Sequence, residues 1–161
     1  MTETNDISKV AEVLDKGRIG ILTTQGSNKH LVSRPLAIVD REFDGKVYFF
    51  TPDPSPKVDD VKAHPQVNVA VETGKGYLSL SGEASIVKDA ALIDELWTAA
   101  AEAWFDKGRE DPTVALLQVE VETAEYWVSN EPKALTLLKY AKAAVTGGHP
   151  ENIADTGTVR L

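Results

Sequence analysis

Leu31-Val32-Ser33-Arg34-Pro35-Leu36, followed by Lys46-Val47-Tyr48-Phe49-Phe50-Thr51-Pro52-Asp53-Pro54-Ser55-Pro56-Lys57-Val58, is the stretch from which the fold of this chain is read. The first run reads as an arginine-bearing strand, and Lys46 to Phe50 is a compact β-branched and aromatic strand. Pro52, Pro54 and Pro56 cannot continue a strand, so the chain turns there. Ser55 suits an N-cap and Pro56 the first helical position. A short helix therefore follows from Pro56 to Ala63, with Val58 and Val61 inward and His64-Pro65 closing it. This order collects an arginine, a lysine, a hydroxyl and the backbone N–H groups of a helix start. In a chain of net charge -8 these are the ingredients of a local anion site. The pattern alone fits a second reading equally well, with Ser55-Pro56 as a plain helix cap and Arg34 as a surface ion-pair partner.

Before this stretch, Ile7, Val10, Val13 and Leu14 recur at helical spacing, with Asn5 or Asp6 as N-cap and Gly17 as a left-handed C-cap. Arg18 to Thr24 and His30 to Val39 read as strands paired through the turn Gln25-Gly26-Ser27-Asn28, and Asp44-Gly45 reads as the next hairpin. After the short helix, Val67, Val69 and Val71 alternate with polar residues. Beyond the turn Thr73-Gly74-Lys75-Gly76, Tyr77 to Val87 is a long strand in which Gly82 marks a bend. Asp89 caps a helix expected to run through Phe105, with Trp97 and Trp104 on one face. Val114 to Glu122 and Tyr126 to Ser129 add two strands, and Glu131-Pro132 starts a last helix anchored by Leu135, Leu138 and Tyr140. Residues 1–146 thus form a single domain, and 147–161 a tail without periodicity. Six or seven strands joined mainly by hairpins, with helices beside them, make an α+β, mainly β fold built on an antiparallel barrel.

The chain has 161 residues, 42% hydrophobic and 26% charged, within the range of one globular domain. No apolar run approaches membrane-helix length, and the acidic start Met1-Thr2-Glu3-Thr4-Asn5-Asp6 lacks a signal-peptide core, so no membrane association and a cytoplasmic location are expected. The absence of cysteine excludes disulfides, thiolate metal sites and cysteine nucleophiles. The acidic balance disfavours nucleic acid as a partner. His30, His64 and His149 lack ligand spacing, so no metal site is expected. Asp59-Asp60 and Asp94-Glu95 read as solvated helix faces. No nucleophile elbow, P-loop or Rossmann glycine pattern is present, and the catalytic residues stay unknown.

The succession Ile21-Leu22-Thr23-Thr24, Ser33-Arg34-Pro35-Leu36, Phe43-Asp44-Gly45, Val47-Tyr48-Phe49-Phe50-Thr51, Ser55-Pro56-Lys57 and Ala124-Glu125-Tyr126-Trp127 resembles the general stress protein 26 branch of the pyridoxamine 5'-phosphate oxidase-like flavin proteins. The likeness covers nearly the whole chain in order. It implies a split β-barrel homodimer with FMN in two equivalent clefts at the dimer interface. It further implies Arg34 and Lys57 as the cations on the FMN phosphate, with Ser55 the hydroxyl beside them. The backbone around Pro35 and Leu36 and the stretch through Phe50 and Thr51 would run along the isoalloxazine ring. Trp104 is implied as an aromatic reaching the flavin across the dimer, a role for which a buried core or dimer stripe is an equal alternative. For Tyr48 and Phe49 the ordinary reading, alternating core and surface of a strand, is preferred.

True pyridoxamine phosphate oxidases end with an Arg and His pair on the substrate phosphate, whereas this chain ends Val159-Arg160-Leu161, so oxidation of B6 phosphates is not expected. Two functions are implied: an FMN-dependent oxidoreductase, with NAD(P)H as a possible donor, or a non-catalytic flavin-binding or sensing protein. A relative binding the deazaflavin F420 is a third reading, although the Ser33-Arg34-Pro35 and Ser55-Pro56-Lys57 pieces look more like the FMN branch.

Overall fold

The structure is a computed structural model that describes residues 2–4, 7–15, 18–129, 133–149 and 155–161. Its strands are β1 (Thr2–Thr4), β2 (Ile19–Gln25), β3 (Leu31–Ala37), β4 (Lys46–Pro52), β5 (Gln66–Thr73), β6 (Gly76–Val87), β7 (Val114–Val128) and β8 (Asp155–Arg160). Its helices are α1 (Ile7–Asp15), α2 (Pro56–Ala63), α3 (Ala90–Leu96), α4 (Ala99–Glu102) and α5 (Lys133–Thr146), with a single 3-10 turn at Gly108–Glu110. The sheet order is β1-β8-β7-β6-β5-β2-β3, and β4 joins it through β7. All ladders are antiparallel except the short β1–β8 pair.

The curl of this half-barrel originates in β7. Its first half pairs with β4, from Val114↔Pro52 to Glu120↔Lys46, and on the same edge its second half pairs with β8, from Thr123↔Arg160 to Val128↔Asp155. On its other edge β6 follows β7 throughout, with one irregularity between Ser81 and Gly82. A Cβ at Gly82 would meet the Glu120 carbonyl oxygen and stand 2.8 Å from Glu120 C and 2.9 Å from Val121 Cα. Only glycine allows the backbones to approach this closely where the strand bends, as its place in the sequence suggests.

Four expectations from the sequence give way to long-range pairing. Asp44-Gly45 does not make a hairpin: Lys46 enters a ladder with β7, and β3 is left as the edge strand of the sheet. The two strands expected over 114–129 are one strand of 15 residues, and the tail contributes β8. The helix expected through Phe105 breaks after Leu96. Trp97 is extended, and the Thr98 hydroxyl accepts from Ala101 N to start α4. The Trp97 ring meets Phe50 edge-on at 5.3 Å and Phe105 at 5.9 Å, while its Nε1 donates to Glu102 at 2.7 Å. Docking of the indole outweighs the helix propensity of the alanine run. Trp104 is therefore not on the face of Trp97; it stands 83% exposed.

The main core gathers Val10 and Val13 of α1, Leu22 of β2, Val47 and Phe49 of β4, Val61 of α2 and the inward residues of β5 to β8. A second cluster joins Val39, Tyr48, Leu116 and Phe105 to Ile93 and Leu96 of α3. β4 lies between the two, so Tyr48 and Phe49 are both buried, in place of one facing core and one surface. Leu135, Leu138 and Tyr140, expected to anchor α5, are exposed instead. The expected caps at Asn5, Asp6 and Gly17 and the helix start at Glu131-Pro132 lie outside the described residues. Among the described residues no helix is long and apolar enough to cross a membrane.

Candidate functional site

β2 alternates with Gly20, Leu22 and Thr24 inward, and β3 runs antiparallel beside it with Leu22 opposite Arg34 and Ile21 opposite Pro35. Pro35, which has no N–H to give a ladder, is thus accommodated on an edge strand. Arg34 lies on the same side of this pair as Thr24, and its Nη1 donates to Thr24 Oγ1 at 2.7 Å and weakly to the Leu22 carbonyl at 3.5 Å. Thr24, which is fully buried, passes a hydrogen bond on by donating to Asp60 Oδ2 of α2 at 3.0 Å. The same carboxylate oxygen is 3.8 Å from Arg34 Nη2, with both side chains 20% exposed.

β4 delivers the other half of the site. Thr51, next to last in the strand, is buried and accepts from Lys57 Nζ at 3.2 Å. Between them Asp53 holds the turn, taking Lys88 at 3.0 Å and Lys62 at 3.7 Å, while its backbone N–H donates to the Thr113 carbonyl at 2.8 Å. Ser55 occupies the N-cap of α2 in an extended conformation, with its carbonyl accepting from Val58 N and Asp59 N. Its side chain, however, does not cap: Ser55 Oγ is buried and without a hydrogen-bond partner. A buried hydroxyl left this way costs folding free energy, and it is a group available to a ligand.

The electrostatics around Lys57 disfavour its charged form. Burial first, and the neighbouring Arg34 charge second, push the Lys57 ammonium below its ordinary 10.5. Lys57 is also the second residue of α2, where the helix dipole disfavours a cation. Two positive groups brought together beside a helix start, only one of them facing a carboxylate, gain from an added anion.

Of the residues singled out in the sequence, Lys57 is hydrogen-bonded to Thr51, Arg34 lies near enough to Lys57 to lower its basicity, and Ser55 stands at the N-cap of the same helix. Leu36, two residues along β3 from Arg34, packs partly buried on the main core. Phe50 neighbours Thr51 but turns to the other face of β4, against Trp97. Trp104 is not a member of this hydrogen-bonded group. Thr24 and Asp60 were missed. Their signals were a hydroxyl at the inward phase of an alternating strand, and a carboxylate three residues after Lys57 on one helix face. Asp60 is accordingly not on a solvated face, as Asp59 is.

Comparison with known proteins agrees with this fold. The family model described as pyridoxamine 5'-phosphate oxidase like matches residues 5–151. General stress protein 26 of Bacillus subtilis (strain 168) is 29% identical over 136 residues, which span 80% of this chain and 93% of that protein. The crystal structure of a proposed general stress protein 26 from Jannaschia sp. CCS1 superposes with a TM-score of 0.75 at 26% identity, over 96% of this chain and 97% of that one. That of the general stress FMN/FAD binding protein from the phytopathogen Xanthomonas citri gives 0.67 at 26% identity, over 78% and 89%. With nearly its whole length matched and the half-barrel in common, the chain belongs to the pyridoxamine 5'-phosphate oxidase like family.

Proposed function

We propose that the protein is an FMN-binding flavoprotein of the general stress type, acting as a flavin-dependent oxidoreductase, with the cofactor phosphate held by Arg34, Lys57 and Ser55. The observation that carries this reading is a pair of electrostatically coupled cations, Arg34 and Lys57, at the start of a helix whose N-cap hydroxyl, Ser55 Oγ, is buried and makes no hydrogen bond within the fold. Arg34 offers a planar fork to two phosphate oxygens, Lys57 a movable point charge, and Ser55 Oγ a donor. The residues fit a phosphomonoester. The FMN/FAD binding description of the Xanthomonas citri relative supports a flavin as the molecule that carries it. FMN, when bound, supplies hydride and electron transfer. The chain would orient it: the open edge of β3 at Pro35 and Leu36 offers backbone groups to the ring, Phe50 and Thr51 border it from β4, and Trp104 stands free to reach a neighbouring subunit.

A homodimer with the flavin at its interface is part of the same proposal. Leu137 is 71%, Val145 88% and Leu31 73% exposed, apolar surface on α5 and at the head of β3 that a second copy would cover. NADH or NADPH is the proposed donor.

The test is a visible absorption spectrum of the purified protein, mass spectrometry of the chromophore released on denaturation, and light scattering of the loaded form. FMN at one per chain in a dimer, reduced by NADPH, is the expected result. FMN held tightly but not reduced would make the protein a binding or sensing module; a protein that takes up neither FMN nor F420 would overturn the flavin reading.

A further inference from the structure

We propose that Asp60 sets the affinity of the anion cradle: through Thr24 it holds the Arg34 guanidinium in position, and its charge cancels one of the two cations, so that the cradle is stable when empty and releases its phosphate readily. This rests on the reading of the cradle as a phosphate site.

The chain of donors runs one way. Arg34 Nη1 gives a hydrogen bond to Thr24 Oγ1 at 2.7 Å, and the Thr24 hydroxyl, having accepted, gives its own proton to Asp60 Oδ2 at 3.0 Å. An asparagine at 60 could accept that proton equally well through its amide oxygen. What only a carboxylate adds is the negative charge, 3.8 Å from Arg34 Nη2 and on the same helix face as Lys57. Without a ligand this charge has a clear use. Burial first and the neighbouring Arg34 charge second lower the basicity of Lys57, which also sits against the positive end of α2. Asp60, 3.8 Å from Arg34 Nη2, offsets the Arg34 charge. When a phosphate enters, the same carboxylate opposes it, because like charges in one partly buried site disfavour each other. The side chain therefore stabilises the empty protein at the expense of phosphate affinity.

The experiment measures FMN and riboflavin binding to flavin-stripped protein by quenching of flavin fluorescence, with thermal melts in and out of inorganic phosphate. Asp60→Asn is expected to bind FMN about tenfold tighter, the size of one screened charge interaction, with riboflavin unchanged. Its melting temperature without ligand should fall, and inorganic phosphate should restore more of it than in the native protein. Thr24→Val, which cuts the relay and keeps every charge, is expected to bind FMN severalfold more weakly, again with riboflavin unchanged. A folded Asp60→Asn protein that binds FMN equally or more weakly overturns the counter-charge. A Thr24→Val protein with an unaltered FMN-to-riboflavin ratio overturns the positioning relay. If the native protein binds riboflavin as tightly as FMN, the phosphate reading of the cradle fails, and Asp60 loses its proposed role with it.

Discussion

Replacement of Arg34 by Met removes a charge whose partners are all identified, so its cost can be worked out. The variant loses the 2.7 Å bond to Thr24 and strips Asp60 of a cation 3.8 Å away. Breaking a fully buried ion pair from one side costs about 3 to 5 kcal/mol, chiefly because the remaining charge is stranded. Here both side chains keep 20% exposure, so water takes over part of the solvation and the loss should be about 1 to 2 kcal/mol. For a chain of this size that lowers the melting temperature by roughly 2 to 8 °C. In the double variant Arg34→Met with Asp60→Asn no charge is stranded, and most of the loss should be recovered. The coupling between the two sites should be about 1 kcal/mol. Phosphate recognition is recovered only in part: Arg34→Met should bind FMN about 1.5 to 3 kcal/mol more weakly, roughly 10- to 150-fold, and the double variant less weakly than the single one, because its carboxylate no longer opposes the phosphate. The assays are thermal and urea unfolding of the flavin-free proteins, and flavin titration. Equal stability of the single and double variants would refute the electrostatic argument, and native-like FMN affinity in both would refute the assignment of Arg34.

Two further predictions concern the neighbours of Arg34. Ser55→Ala removes a buried hydroxyl that makes no hydrogen bond in the fold, so flavin-free stability should be unchanged or higher while FMN binds about 3- to 10-fold more weakly; a destabilised variant would mean that the hydroxyl serves the fold. Lys57 gives a pH signature. Its pKa in the fold lies below the 10.5 of the unfolded chain, so between the lowered value and 10.5 the unfolded state holds more proton and flavin-free stability rises with pH. A bound phosphate draws that pKa back up and should abolish the rise, and FMN affinity should fall as pH climbs through the lowered value. Melts across the alkaline range with and without FMN check this, with Lys57→Met as the control that shows neither effect.

Much of this protein follows from near neighbours in the chain. The alternation through β5 and β6, the hairpin β2–β3, the proline-enforced turn after β4 and the Ser55-Pro56 start of α2 are set by side-chain period and backbone restriction, which act over a few residues. Arg34 and Lys57 stand out for the same reason, an arginine on a proline-bearing strand and a lysine in the first turn of a helix being local patterns; the pattern fits a plain cap and an ion pair equally well, and the phosphate roles came from the family resemblance.

What the tertiary structure alone decided is which of these pieces meet. Nothing near Lys46 says that β4 will pair with β7 and not β3. That choice depends on the free edge of a 15-residue strand and on two apolar clusters that need a strand between them. The break at Trp97 likewise comes from the pocket made by Phe50 and Phe105, not from the alanines that follow it. Thr24 and Asp60 are 36 positions apart, and each by itself is an ordinary strand threonine or helix aspartate. Only the packing of α2 against β2 removes both from most of the solvent and leaves each as the other's partner. Periodicity specifies the faces that must be buried, and chain connectivity and core volume select the contacts that bury them.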